Sequence, residues 1–194
     1  MSSEALRSKA ELRRELRLIL KNHSEAARSE ASAQAGARLR RQAIWKEARS
    51  ILFYSSIAGE LDLSPLIESA LESGKAVLLP RFSAETGTYE AVRVSNLKSD
   101  CAPGKFGIAE PGSHCAAYPL KSLDLALAPG LGFDLAGRRL GRGRGFYDRL
   151  LAQIAGAKCG VAFDQQIVGE IPAERHDVHM NFILTPTRWI KISE

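Results

Sequence analysis

A chain of 194 residues, 45% apolar and 25% charged, can build one substantial core but not two full domains, and its balance excludes wholesale disorder. Its net charge of +5 favours anionic partners such as nucleotides, polycarboxylates or nucleic acid. No apolar run approaches the roughly 20 residues that cross a bilayer, the N-terminus has no apolar signal core, and Cys101, Cys115 and Cys159 have neither zinc-site spacing nor the even number of a disulfide framework; a cytoplasmic chain with free thiols is expected.

In chain order, residues 4–22 carry Leu12, Leu16, Ile19 and Leu20 at helical spacing, with basic residues on the other sides, which predicts an amphipathic helix. Ser24 is placed to cap a second helix reaching about residue 43, rich in alanine and arginine and expected to pack on the outside. The pattern then changes to a short buried-strand run at 51–55. Ser64-Pro65 and Gly74 frame a helix over 65–73, and strands follow at 76–79 and 89–94. Residues 95–122 read as loop. A strand at 123–128 leads through a glycine–arginine segment into a helix over about 146–155, and strands at 158–162 and 182–185 complete the set. Strands interleaved with helices imply right-handed crossovers and a mostly parallel sheet covered on both faces. The expectation is a single α/β domain spanning 1–194, with N-terminal helices over 1–45 and an α/β core over 50–188.

The segment Arg138-Arg-Leu-Gly-Arg-Gly-Arg144 concentrates four arginines in seven residues. Gly141, Gly143 and Gly145 alternate, and positive φ at these positions would let the backbone approach a ligand. Their amides would form an anion-holding concavity, and the following helix would turn its positive end to the same anion. Arg142 and Arg144 add charge and paired donors for phosphate oxygens. The spacing is neither G-x-x-x-x-G-K-[ST] nor G-x-G-x-x-G, so two readings stand: a phosphate loop, or an Arg/Gly segment for single-stranded RNA. The segment is short and runs straight into a helical start at Phe146, which favours the phosphate loop. His176 and His179 lack the H-E-x-x-H pattern, and no zinc is expected there.

Leu123-Asp-Leu-Ala-Leu-Ala-Pro-Gly-Leu-Gly-Phe-Asp134, followed by Gly137-Arg-Arg-Leu-Gly-Arg-Gly-Arg-Gly-Phe-Tyr-Asp148, resembles the signature of the 5-formyltetrahydrofolate cyclo-ligases, also called methenyltetrahydrofolate synthetases. Lys9-Ala-Glu-Leu-Arg13 resembles that family's N-terminal K-x-x-L-R element, and Val161 to Gln165 with Ile171 to Asp177 resembles its C-terminal block, so the resemblance covers nearly the whole chain. It implies a Rossmann-like three-layer α/β sandwich. It also implies an enzyme that uses ATP and Mg²⁺ to convert 5-formyltetrahydrofolate to 5,10-methenyltetrahydrofolate, with ADP and phosphate released, through a phosphorylated formyl intermediate. Carried over residue by residue, the resemblance implies ATP contacts from Lys9, Arg13, Arg139, Leu140, Gly141, Arg142, Gly143, Arg144, Gly145, Phe146 and Tyr147, with Arg142 and Arg144 in the catalytic role. It implies folate contacts from Ser55, Glu60, Phe106, Arg142 and Phe146, and Mg²⁺-associated carboxylates at Asp148 and Asp177. Arg81 is expected to meet the substrate's glutamate tail.

There are departures. Phe106 stands where many relatives carry tryptophan, Phe146 where tyrosine is common, and Asn181 where an aspartate is expected. The expected partner is a folate, in mono- or polyglutamylated form, with no nucleic acid or membrane partner and a monomer or weak dimer in solution. An enzyme of the same fold acting on another substrate, or a basic RNA-binding module, remain the alternatives.

Overall fold

The computed structural model describes residues 7–21, 23–104, 108–174 and 177–193. The amphipathic N-terminal helix is α1 (Lys9–Lys21), which buries Leu12, Leu16 and Leu20 along one stripe. Next comes α2 (Glu25–Arg40), where the Ser24 hydroxyl accepts the Ala27 N–H at 3.2 Å as the capping pattern predicts. It stops sooner than expected because Gln42 turns extended, and the chain restarts as α3 (Ala43–Glu47), which buries Trp45. Then β1 (Ser50–Leu52) leads by a long loop to α4 (Ser64–Glu72), with Pro65 in its first turn. As expected, α2 packs on the outside, with a buried face of Ser32, Ala35, Gly36 and Leu39. A Cβ at Gly36 would lie 3.4 Å from Leu66 of α4, so small side chains bring the two helices together.

The strands at 76–79 and 89–94 are parts of one hairpin, β2 (Ala76–Ser83) and β3 (Thr88–Val94), paired antiparallel from Val77–Val94 to Ser83–Thr88. Pro80 does not end β2. It lies beyond the stretch that β1 pairs, Ser50–Ala76 to Leu52–Leu78, so its missing N–H leaves no gap in the ladder with β1. Residues read as loop contain α5 (Leu97–Asp100) and a ribbon of β4 (Cys101–Pro103) with β5 (Ala109–Pro111). There follow β6 (Leu125–Pro129), β7 (Gly132–Asp134), β8 (Arg139–Leu140), α6 (Phe146–Leu151), β9 (Ala157–Val161), β10 (Ile167–Val168), β11 (Phe182–Leu184) and β12 (Trp189–Lys191).

The main sheet runs β12-β11-β9-β6-β1-β2-β3. Its strands from β11 to β2 are parallel, and antiparallel β12 and β3 close the two edges. Alternate side chains feed two cores. Ile51, Phe53, Val77, Leu79, Leu125 and Leu127 pack with α1–α4 on one face. Leu52, Leu78, Ala126 and Ala128 pack with Leu150, Leu151 and Ile154 on the other. This is the three-layer, mostly parallel sandwich expected. The small sheet β10-β7-β8 is unforeseen, and its anchor is the fully buried carboxylate of Asp134. That carboxylate accepts the N–H groups of Ala136, Arg138 and Ile171 and the Nε of Arg138 at 2.6–3.0 Å. Among the described residues no helix is long and apolar enough to cross a membrane.

Candidate functional site

In an open parallel sheet the crevice for ligands lies beyond the carboxyl ends of the strands, and there the chain has a cavity of about 360 Å³. Five segments line it: Ser55, Ile57 and Glu60 from the loop after β1; Pro80 and Tyr89 from the β2–β3 hairpin; Ile108 to Glu110 at β5; Pro129-Gly130 at the end of β6; and Arg139, Gly141, Arg142 and Arg144 to Asp148. The site is thus assembled from strand ends and from loops that the sheet holds side by side.

The glycine–arginine loop leaves β8 and enters α6. Gly143 (φ 108°) and Gly145 (φ 64°) occupy the left-handed region that glycine takes without strain. Gly141 does not. There the missing side chain makes room instead, since a Cβ would sit 3.3 Å from the Arg139 guanidinium. The helix after the loop spans only Phe146–Leu151, not 146–155. Its last carbonyls are taken by turns, Gln153 N–H to Leu150 and Ile154 N–H to Leu151, and a helix this short offers only a small dipole.

The arginines of the segment have different surroundings. Arg138 is drawn to Asp134 at 2.6 Å and Glu170 at 2.9 Å. Arg139 is 5% exposed; its Nη1 donates to the Pro129 carbonyl at 2.9 Å and its Nη2 to Asp148 Oδ1 at 2.7 Å, beneath the loop. Its Nε is buried and has no partner. Arg142 is exposed and reaches across to Glu60 Oε1 at 2.9 Å. Arg144 lines the cavity, and its charge opposes the upward push that burial, and next Glu110, gives the Tyr89 phenol. Arg138 and Arg139 are thus turned inward, whereas Arg142 and Arg144 are exposed. Leu140 is 1% exposed within the core, so only its backbone is available to a ligand.

Glu60 pairs with Arg142, yet burial raises its carboxyl above the ordinary value, outweighing the pull of that guanidinium. Ser55 lines the same wall and donates its hydroxyl to the Ala109 carbonyl at 2.6 Å, tying the loop after β1 to β5. An aromatic cluster lines the same cavity through Tyr89, Phe146 and Tyr147. Phe146 meets Phe82 edge-on at 5.6 Å and Tyr89 at 5.7 Å between ring centres, and Arg149 lies 5.0 Å over its other side. Tyr147 stands 6.1 Å from Tyr89, and burial pushes its phenol far up.

The N-terminal helix touches the loop through Arg13. Arg13 Nε donates to the Gly141 carbonyl at 3.0 Å, and Lys9 pairs with Asp177 at 2.7 Å and Glu174 at 2.9 Å. Those partners raise the Lys9 ammonium above its ordinary value, against the downward effect of burial. Asp148 and Asp177 therefore have different partners: Asp148 lines the cavity beside Arg139, whereas Asp177 accepts Lys9 and the Glu174 N–H at 2.8 Å. Among the described residues no group of three or more histidine, cysteine or acidic side chains is arranged around a metal ion. A magnesium ion that takes most of its ligands from phosphate and water asks for no more than one or two carboxylates, and the cavity-facing Asp148 fits that demand.

Arg81 does not line the cavity. Its guanidinium binds Glu90 at 2.8 Å and the carbonyls of Gly112 and Cys115 at 2.6 and 3.0 Å, which spends it on holding the β2–β3 hairpin. Asn181 ties the start of β11 to β9, its Oδ1 accepting the Lys158 N–H at 2.8 Å. Phe106 and His176 lie outside the described residues. Tyr89 and Phe82 were missed in the sequence, although the Thr86-Gly87 turn, with Gly87 at φ 66°, was the available sign of the hairpin that brings them in.

A family model, that of the 5-formyltetrahydrofolate cyclo-ligase family, matches residues 5–186. Similar proteins include the probable 5-formyltetrahydrofolate cyclo-ligase of Caenorhabditis elegans, 32% identical over 152 residues covering 72% of this chain and 74% of the relative. The 5-formyltetrahydrofolate cyclo-ligase of Escherichia coli K12 is 33% identical over 145 residues, covering 73% of this chain and 80% of its own. Among solved structures, the Aquifex aeolicus 5,10-methenyltetrahydrofolate synthetase superposes with a TM-score of 0.86 at 31% identity, over 96% of this chain and 93% of that one.

Proposed function

The chain belongs to the 5-formyltetrahydrofolate cyclo-ligase family, and from that premise we propose that it converts 5-formyltetrahydrofolate and ATP to 5,10-methenyltetrahydrofolate, ADP and phosphate. The observation that carries the reading is that one cavity of about 360 Å³ holds both the glycine–arginine loop and a wall made of Ser55, Glu60, Tyr89 and Phe146. A triphosphate and a flat heterocycle need those two surfaces, side by side.

The chemistry follows from a poor leaving group. The formyl oxygen attacks the γ-phosphorus and ADP departs. N10 of the folate then attacks the formyl carbon, loses its proton, and phosphate leaves carrying the former formyl oxygen. Such a sequence asks the protein mainly for alignment and charge neutralisation. Arg142 and Arg144 spread the charge that develops on the transferred phosphoryl group, and the amides around Gly143 and Gly145 cradle it. Arg13 holds the loop through the Gly141 carbonyl, and Lys9 turns from Asp177 to the nucleotide. Arg139 acts from beneath by fixing the Asp148 carboxylate. Asp148, with Asp177 as the second carboxylate, would hold Mg²⁺, which would supply positive charge to neutralise phosphate oxygens. Glu60 accepts ring N–H groups of the folate, Phe146 forms part of the ring wall, and Ser55 completes the edge. The whole chain works as one domain in the cytoplasm on mono- or polyglutamylated folate.

The test is direct. Purified protein with 5-formyltetrahydrofolate, ATP and Mg²⁺ should generate the absorbance of the methenyl product and one ADP per turnover, and omission of Mg²⁺ should abolish both. ADP without methenyl product would point to another acceptor at this site and overturn the assignment.

A further inference from the structure

The pair between Glu60 and Arg142 presents a conflict that the two ligands of the site have to resolve together. Glu60 is the sheltered member, its side chain 8% exposed against 43% for Arg142. Its Oε1 accepts from Arg142 Nη2 at 2.9 Å and its Oε2 from the Ile57 N–H at 3.2 Å. Among the described residues Arg142 is the cation that pairs with it. Even so paired, the carboxyl is pushed upward by burial, so a bare carboxylate here is expensive to leave without donors.

Phosphate oxygens carry more charge than a carboxylate and match the same guanidinium face. A nucleotide that draws Arg142 away would strip Glu60 of its cation and leave its Oε1 without a donor. A folate ring carries N–H donors on the edge that a carboxylate recognises, and it can take over Oε1. The release of Arg142 is then uphill for either ligand alone and favourable for both together. We propose that Glu60 is a coupling residue: its exchange from Arg142 to the ring donors of the folate frees Arg142 for the nucleotide phosphates, so that each ligand raises the affinity for the other. This rests on the functional reading above and deepens it.

Linkage requires the effect to be reciprocal, the folate tightening the nucleotide by the same factor as the nucleotide tightens the folate. Calorimetric titration with the β,γ-methylene analogue of ATP, with Mg²⁺ and with or without saturating 5-formyltetrahydrofolate, reads that factor. The wild-type protein should show a factor of about 5–150. In Glu60→Gln the analogue alone should bind more tightly than to wild type, because Arg142 is no longer claimed, and the factor should fall toward about 1. In Arg142→Ala the factor should fall likewise while the analogue alone binds more weakly. Arg142 is exposed and its removal spares the core, so this variant stands as the control should Glu60→Gln fold poorly. If both ligands bind and the factor is near unity in wild type, or unchanged in both variants, the coupling is overturned while the functional reading stands. If the folate fails to bind wild type at all, the functional reading falls and the coupling with it.

Discussion

Asp148 and Glu60 are both carboxylates on the cavity wall, each held by one arginine, but the loss of each has opposite consequences. Removing Asp148 strands the Arg139 guanidinium, which is 5% exposed; an uncompensated buried charge costs about 3–5 kcal/mol. Asp148→Ala should therefore lower both turnover and stability, whereas Asp148→Asn keeps an acceptor for Arg139 but not the charge, and should lower turnover with a smaller loss of melting temperature than the alanine variant. Arg142→Ala should lower kcat by about 10²–10³, the scale for a lost donor to developing charge; wild-type kinetics would remove it from that role. Glu60 behaves differently because burial holds its folded pKa above the ordinary 4.5. The folded state then binds the proton more tightly than the unfolded chain, so stability falls as pH rises from 4.5 through the folded value, and the penalty persists at neutral pH. Glu60→Gln should melt higher than wild type at pH 7, and the gain should vanish once the pH drops below the ordinary carboxyl value. Equal melting curves at neutral pH would contradict this.

At the scale of elements, the site depends on a small hairpin that its own strands scarcely support. β7 and β8 together offer five residues of strand, and what fixes them is the Asp134 carboxylate with its donors from Ala136, Arg138 and Ile171. Asp134→Ala leaves those N–H groups without their acceptor and Arg138 with Glu170 alone, and denaturant unfolding should show a loss of about 3–5 kcal/mol. These strands were illegible in the sequence because two or three residues give no alternation to read. The hairpin of β2 and β3 was half legible. Pro80 looked like a strand end, and only the absence of a neighbour on the β1 side at that point makes it tolerable. The start of α2 was written in Ser24, but its end was not, since Arg41 and Gln42 carry no glycine or proline to announce the break. Arg142 and Glu60 were each readable as site residues. Their pairing was not, because 82 residues separate them and only the fold brings them together.

Across the whole molecule, the sheet divides its strand residues between two cores and leaves its carboxyl edge to chemistry. The alternation of strand and helix made that division legible, and the cavity lies at the strand ends where such folds collect ligands. What tertiary packing adds is the docking of α1, which buries Leu12, Leu16 and Leu20 while Arg13 reaches the loop at Gly141. Because Arg13 supports the loop from outside the cavity, Arg13→Ala should weaken nucleotide binding about tenfold, on the scale of a hydrogen bond from a charged donor, with the affinity for folate alone nearly unchanged. Equal loss for both ligands would mean that α1 supports the entire cavity and not the phosphate side of it.

Lys9 and Asp177 meet across 168 positions of sequence. On a ribosome the lysine emerges early and waits, its acceptor not yet translated, while the intervening strands are made. A nascent chain halted before Asp177 would thus lack both that carboxylate and two strands of the sheet, β11 and β12. Competence for ligand should arrive late and abruptly during synthesis, not in proportion to the length already made.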